Sequence, residues 1–152
     1  MIRDPFYRVI VERLGGRLDP DTLERCAADL PRNELPTLVP IRGGADVGMD
    51  GAIADGMGEA YPLVCTTSKD VIGNLTQNLD SYVASGGGRR RVILATSQDL
   101  SARRRRNLNE RAKEKGFELV QIYDRAAFAD RLYRDSRWCT ELLGLTGAPS
   151  AL

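Results

Sequence analysis

Hydrophobic residues recur at helical spacing in two segments near the start of the chain. Each segment begins with an aspartate followed by a proline, at residues 4–5 and 19–20. This pair is typical of a helix start, because aspartate caps the free amides and proline suits the first helical position. The first helix is expected to end at the two glycines of residues 15–16. In the second helix, one apolar face consists of Leu23, Cys26, Ala27 and Leu30. This face is predicted to pack on a sheet.

Short apolar runs rich in β-branched residues predict strands after these helices. "TLVPIRGG", which follows Pro36, suits one strand. "MDGAIADGMGEAYPLVCTT" predicts two strands around a turn at residues 55–58, with the second strand running from Ala60 to Thr66. "RRVILATS" and "FELVQIYD" are continuous apolar runs of the kind found in buried strands.

The spacing becomes helical again between and after these later strands. "SKDVIGNLTQNLDSYVASGGG" predicts an amphipathic helix stopped by its glycines, and "LSARRRRNLNERAKEKG" predicts a basic helix with Leu108 and Ala112 inward. Two short helices, over residues 125–133 and 136–143, close the domain. Helical crossovers between strands favour parallel pairing. The pattern therefore predicts an α/β domain over residues 1–145, with residues 146–152 as a tail or the start of a linker.

Composition and charge narrow the possible chemistry. The 152 residues suit one domain, and the net charge of +1 neither requires nor excludes a nucleic-acid partner. No apolar run approaches the roughly 20 residues of a membrane span, and the start of the chain lacks the layout of a signal peptide. We therefore expect a cytoplasmic protein with no membrane partner. The sequence has no histidine and three cysteines. Carboxylate, lysine, hydroxyl and thiol groups remain for chemistry.

The stretch "GGADVGMDG" places Asp46 and Asp50 among four glycines. One interpretation is a turn, which favours both residue types. The other is a metal site, because Asp50 would begin a hairpin strand beside the end of "VCTTS". A second acidic ligand from the neighbouring strand and a glutamate from the helix before it would complete a set of oxygen ligands for Mg²⁺. Cys65 is expected to be a small buried residue rather than a nucleophile.

The order of these elements, with Leu23–Glu24 on a helix and "GGADVGMDG" before "YPLVCTTS", resembles the PD-(D/E)XK nuclease superfamily in its Mrr-like branch. The resemblance covers about residues 19–124. More narrowly, "YPLVCTTSKDVIGNLTQNLDSY", "RRRNLNERAKEKGFELVQIYD" and "RWCTELLGLTG" resemble the amino-terminal effector domains of bacterial signal-transduction NTPases in antiphage defence. The resemblance implies a restriction endonuclease-like fold, with a mixed β-sheet flanked by helices. It also implies fusion or docking to an NTPase or sensor module.

The function implied by the resemblance is an Mg²⁺- or Mn²⁺-dependent endonuclease acting on DNA, with RNA and homo-oligomers left open. Asp50 and Glu24 match the metal ligands, and Asp46 is an accessory. Where the family has an acid, any residue and then lysine, this strand has Cys65, Thr66 and Thr67. Lys69, two residues farther on, is the candidate replacement for the lysine. The alternative is a catalytically degenerate nuclease-like fold that serves as a nucleic-acid-binding or protein-docking module.

Two further features have both a structural and a functional interpretation. Ser68 or Asp70 is expected to cap the helix after "VCTT", although the same helix start suits a phosphate and a small-nucleotide ligand. The basic helix suits phosphate contacts that do not read sequence. Its structural alternative is a solvated face paired with Glu110 and Glu114. The residues predicted to contact nucleic acid are Arg103, Arg104, Arg106, Arg111 and Lys113.

Overall fold

A computed structural model describes residues 5–31, 37–40 and 60–145 of the chain. Within these ranges the secondary structure is four strands and six helices. The strands are β1 (Thr37–Pro40), β2 (Ala60–Thr66), β3 (Arg91–Thr96) and β4 (Glu118–Tyr123). The helices are α1 (Pro5–Leu14), α2 (Pro20–Asp29), α3 (Val71–Ala84), α4 (Ala102–Glu114), α5 (Arg125–Leu132) and α6 (Ser136–Leu143). The predicted α/β class is confirmed.

Aspartate caps start α2 and α3 at positions that the sequence predicts, whereas the predicted cap at Asp4 lies outside the described residues. Oδ2 of Asp19 accepts the amide hydrogen of Thr22 at 3.0 Å, at the start of α2. Asp70 caps α3, because its Oδ1 accepts from the amide of Gly73 at 3.0 Å. Ser68 instead uses its hydroxyl to accept from the amide of Asp70 at 3.1 Å. The negative charge of each cap also suits the positive end of the helix dipole.

The four strands form one sheet in the order β1-β2-β3-β4, and every pairing among them is parallel. This confirms parallel pairing for the later strands. The predicted hairpin requires correction. β1 pairs with β2 from Ala60 to Leu63, where the first strand of the hairpin was expected to be the neighbour of β2. The mixed pairing is therefore absent from the described strands. The first strand of that hairpin, near Asp50, falls outside the described residues.

Helices cover both faces of the sheet. Side chains alternate along each strand, so successive residues pack against helices on opposite faces. Ile93 and Ala95 of β3 pack in a cluster with α1, α2, α5 and α6. Val92 and Leu94 point to the other face and pack with α3 and α4. The two crossover helices α3 and α4 thus share one layer. Helices from the two ends of the described chain form the other layer.

Side-chain contacts join the first helix to the last two. Nη1 of Arg13 donates to the carbonyl of Leu143 at 2.9 Å, and the hydroxyl of Tyr7 donates to Oδ1 of Asp130 at 3.1 Å. Leu14, Leu132 and Trp138 are buried in the same cluster. The amino- and carboxyl-terminal helices are therefore packed as one layer.

The connection from α3 to β3 is shaped by Tyr82. Its hydroxyl accepts the amide hydrogen of Arg89 at 3.1 Å, and the side chain is almost fully buried. Gly87 lies so close to the ring that an added Cβ would be 2.4 Å from it. The preceding Gly86 has a φ of 91°, with open space around its missing Cβ. Tyr82 thus requires glycine at residue 87 for space, whereas the backbone requires it at residue 86.

Across the described ranges, none of the helices combines the length and apolar character needed to cross a membrane.

Candidate functional site at the carboxyl edge of the sheet

The carboxyl ends of β2 and β3 carry the same hydroxyl motif at the same level. Thr66 and Thr96 are register partners, and both are buried. The hydroxyl of Thr66 accepts from the amide of Ser68 at 3.0 Å, and that of Thr96 accepts from the amide of Gln98 at 3.1 Å. Each hydroxyl closes the turn that follows its strand. Ligands of open α/β sheets commonly bind outside this edge of the strands.

Gln98 joins three of the strand ends. Its side-chain Nε2 donates to the backbone carbonyl of Thr67 at 2.9 Å, and its backbone carbonyl accepts from the amide of Arg125 at 3.0 Å. The turns after β2 and β3 are therefore fixed to each other and to the start of α5. Such a connected backbone provides a defined surface for a ligand.

Glu24 of α2 lies close enough to Cys65 of β2 to affect its ionisation. Burial raises the pKa of the Cys65 thiol to about 12, and the Glu24 carboxylate adds to the increase. The thiol consequently keeps its proton at neutral pH, and the side chain is partly buried rather than fully buried as expected. Glu24 is itself partly exposed. The helix acid is thus near the strand position where the resemblance implies a second acid, but this chain has a neutral thiol there.

The remaining predicted catalytic residues are only partly described. Asp46 and Asp50 lie outside the described residues. Lys69 is exposed at the end of β2, and its carbonyl accepts from Nη2 of Arg104 at 3.1 Å. No partner of the Lys69 ammonium occurs within ranges 5–31, 37–40 and 60–145.

A magnesium site requires more oxygen ligands than this part of the chain supplies. In the described ranges, no group of three or more acidic, cysteine or histidine side chains could hold a metal ion. Glu24 is one suitable carboxylate, whereas the protonated thiol of Cys65 is not a suitable ligand. The residues fit Mg²⁺ only if aspartates from residues 41–59 join Glu24.

An open cleft of about 670 Å³ lies at this edge, between the α1–α2 connection and the end of β2. Arg17 is exposed in the cleft, and its guanidinium has no hydrogen-bond or ion-pair partner within the described residues. The acid in the cleft, Asp19, is engaged by the amide and hydroxyl of Thr22. The cleft is lined by Gly16, Arg17, Leu18, Asp19, Pro20 and Thr67.

Arg125, a residue that the sequence analysis did not select, is fixed at the same edge. Its Nε donates to the carbonyl of Ser97 at 2.9 Å. The guanidinium packs over Gly15, where an added Cβ would be 3.3 Å from Cζ of Arg125. Its two terminal nitrogens have no partner among the described residues. In the sequence, the signal for Arg125 was its position just after a predicted strand. The parallel strand order is needed to show that the carboxyl end of this strand lies near the α1–α2 connection.

The neighbouring Asp124 is occupied by structural contacts. Its side chain is 4% exposed and forms an ion pair with Arg105, with Oδ2 and Nη2 separated by 2.7 Å. Its Oδ1 accepts from the amide of Ala127 at 3.2 Å and so caps α5. Asp124 is therefore a structural link between α4, β4 and α5.

The basic helix α4 divides into tethered and exposed residues. Arg104 donates to the carbonyls of Asp99 and Lys69, and Arg111 donates to the hydroxyl of Thr76 at 2.9 Å. Three of the predicted nucleic-acid contacts are exposed and have no partner elsewhere in the described structure: Arg103, Arg106 and Lys113. Glu110 is exposed on the same helix, so the outward charge is mixed.

Comparison with protein-family models, with curated proteins and with solved structures gives no match to this chain.

Proposed function

We propose that this chain is a restriction endonuclease-like effector domain that hydrolyses phosphodiester bonds of DNA in a metal-dependent reaction. The observation that supports the proposal is the packing of α2 against β2, which brings the Glu24 carboxylate close enough to Cys65 to raise the pKa of its thiol. A helix acid facing this strand is part of the arrangement that the family resemblance implies. The same resemblance suggests a role in bacterial antiphage defence, with an NTPase or sensor module as the regulator.

In this proposal Glu24 and Asp50 hold Mg²⁺ or Mn²⁺, and Asp46 assists them. When bound, such a metal polarises a phosphodiester and makes water nucleophilic at neutral pH. Lys69 offers an exposed ammonium at the end of β2 to stabilise negative charge that develops on the phosphate. Exposed cations of α4 contribute backbone contacts that do not read base sequence.

Plasmid cleavage in Mg²⁺ or Mn²⁺ tests the proposal. Wild type should nick or linearise the plasmid, and Asp50→Asn and Glu24→Gln should each lose at least about 100-fold in rate, since removing one strong electrostatic contact costs about that much. Glu141→Gln is the matched control, because Glu141 is an exposed glutamate on α6 and the same charge is removed. Absence of cleavage by wild type, or equal cleavage by all four proteins, would contradict the proposal.

A second candidate is a nuclease-like domain without catalysis, which binds nucleic acid or docks another protein. The observation that favours it is the pair Cys65 and Thr67, where an acid and a lysine are expected. Cys65 remains protonated, and the carbonyl of Thr67 is engaged by Gln98. Calorimetric titration with Mg²⁺ and Mn²⁺ separates the candidates. A docking module shows no metal binding that is lost in Asp50→Asn.

A further inference from the structure

We propose that Arg125 and Arg17 bind backbone phosphates of nucleic acid at the carboxyl edge of the sheet, on the two sides of the Gly15–Gly16 connection. This inference deepens the proposed function, because it assigns phosphate-binding residues to the same edge. It moves the principal backbone contacts from the basic helix α4 to the connection between α1 and α2.

Arg125 has the geometry of a prepared anion ligand. The bond from its Nε to the carbonyl of Ser97 and the contact with Gly15 fix the side chain, while both terminal nitrogens remain available within the described structure. A guanidinium held in this way binds phosphate through two parallel hydrogen bonds and loses little side-chain entropy. The adjacent acid does not neutralise it, because Asp124 is paired with Arg105.

Arg17 provides the second cation beside the same connection. It lines the open cleft together with Thr67 and has no partner within the described ranges. The cleft acid Asp19 accepts two hydrogen bonds from Thr22. A phosphate near Arg17 would therefore meet a carboxylate that is already hydrogen bonded. The glycines between the two arginines let a nucleic-acid backbone approach closely.

The basic helix is less suited to this role than its sequence suggests. Arg104, Arg105 and Arg111 are held by protein groups, and their guanidinium groups face neighbouring elements rather than solvent alone. The exposed side chains of α4 carry both signs, because Glu110 and Glu114 lie among the cations. Electrostatic binding of phosphates depends on the number of cations that can each displace a counterion. Arg125 differs from the exposed cations of α4 because protein contacts hold its guanidinium in place, and Arg17 lies beside it in the α1–α2 connection.

Fluorescence anisotropy with a short labelled DNA duplex in EDTA tests the inference without cleavage. Arg125→Gln and Arg17→Gln should each weaken binding about tenfold, as expected for one lost hydrogen-bonded charge. Each should also make the dependence of log K on log salt shallower by about one. Arg134→Gln is the control. Arg134 is exposed, and it follows α5, which begins at the carboxyl edge and runs away from it.

Thermal unfolding identifies variants that lose the fold. Arg17 is exposed and forms no hydrogen bond or ion pair with another described side chain, so we expect Arg17→Gln to keep the fold and to test the inference even if Arg125→Gln unfolds. Undetectable binding by wild type would overturn the inference. So would unchanged binding by a folded Arg17→Gln variant, or an equal loss in Arg134→Gln. A wild type that binds through these arginines without cutting plasmid would preserve this inference and contradict the nuclease proposal.

Discussion

The indole Nε1 of Trp138 donates a hydrogen bond of 2.6 Å to Oδ2 of Asp29 and thereby joins α6 to the last residue of α2. Trp138 is buried, so removing its acceptor leaves a polar group without compensation. We expect Asp29→Ala to lower the free energy of unfolding by about 1–3 kcal/mol, as measured by urea denaturation.

The Arg137→Gln variant removes the exposed ion pair with Asp29 and keeps the hydrogen bond from Trp138 to the same oxygen. Nη2 of Arg137 also lies 2.6 Å from Oδ2 of Asp29, but the arginine side chain is 60% exposed. We expect its loss to cost less than about 1 kcal/mol. An equal cost for both variants would show that the hydrogen bond from Trp138 adds no stability.

Asp124→Ala removes an ion-pair partner and a helix cap together. Arg105 then loses its carboxylate, and the amide of Ala127 loses its acceptor. Arg105 is 37% exposed and can regain water. We therefore expect a loss of about 2–3 kcal/mol in urea denaturation, below the range for a fully buried pair. Asp99→Ala is the control and should stay within about 0.5 kcal/mol, because this exposed side chain forms no hydrogen bond or ion pair in the described structure.

Gly87→Ala should destabilise the protein more than Gly86→Ala. At residue 87 the methyl group displaces the buried ring of Tyr82 or its hydrogen bond to Arg89, at a cost of about 2–3 kcal/mol. At residue 86 the methyl group enters open space, and the positive φ alone costs about 1 kcal/mol. Thermal unfolding of both variants measures the order. The reverse order would contradict the Tyr82 packing.

The stability contributed by Cys65 should decrease above pH 9. Burial, followed by Glu24, raises the pKa of this thiol from 9.0 to about 12. Between these values the unfolded chain releases the proton and the folded chain keeps it, so rising pH favours unfolding. The penalty of Cys65→Ala, measured in urea, should therefore shrink from pH 8 to pH 10. Val64→Ala should show a pH-independent penalty. An unchanged Cys65→Ala penalty would show that the thiol ionises equally in both states.

Local signals in the sequence predict the helices and strands well. Asp19 and Asp70 cap helices at the predicted residues, because a cap depends on neighbours within three positions. Leu108 and Ala112 are buried as their spacing predicts. Strand neighbours depend on long connections, and alternation along a strand does not identify its partner. The pairing of β1 with β2 was therefore missed, although the span Ala60–Thr66 was predicted correctly.

The candidate site was less predictable than the fold. Glu24 lies close enough to Cys65 to affect its ionisation, whereas the metal roles of Glu24 and Asp50 remain predictions. Arg105 lies within a run of four arginines, and the sequence alone cannot show which one turns toward Asp124. Arg125 acquires its position through Ser97 and Gly15, which are 28 and 110 residues away in the chain. Such contacts have no local sequence signature.

The layer shared by the first two and last two helices has a consequence for synthesis on the ribosome. Tyr61, Ile93 and Tyr123 of the sheet pack in the cluster that α5 and α6 complete. This apolar face remains partly uncovered in the nascent chain until Leu143 has left the exit tunnel. Folding of the sheet is therefore completed only after α6 has emerged, and a chain interrupted after β4 would expose a surface that favours aggregation.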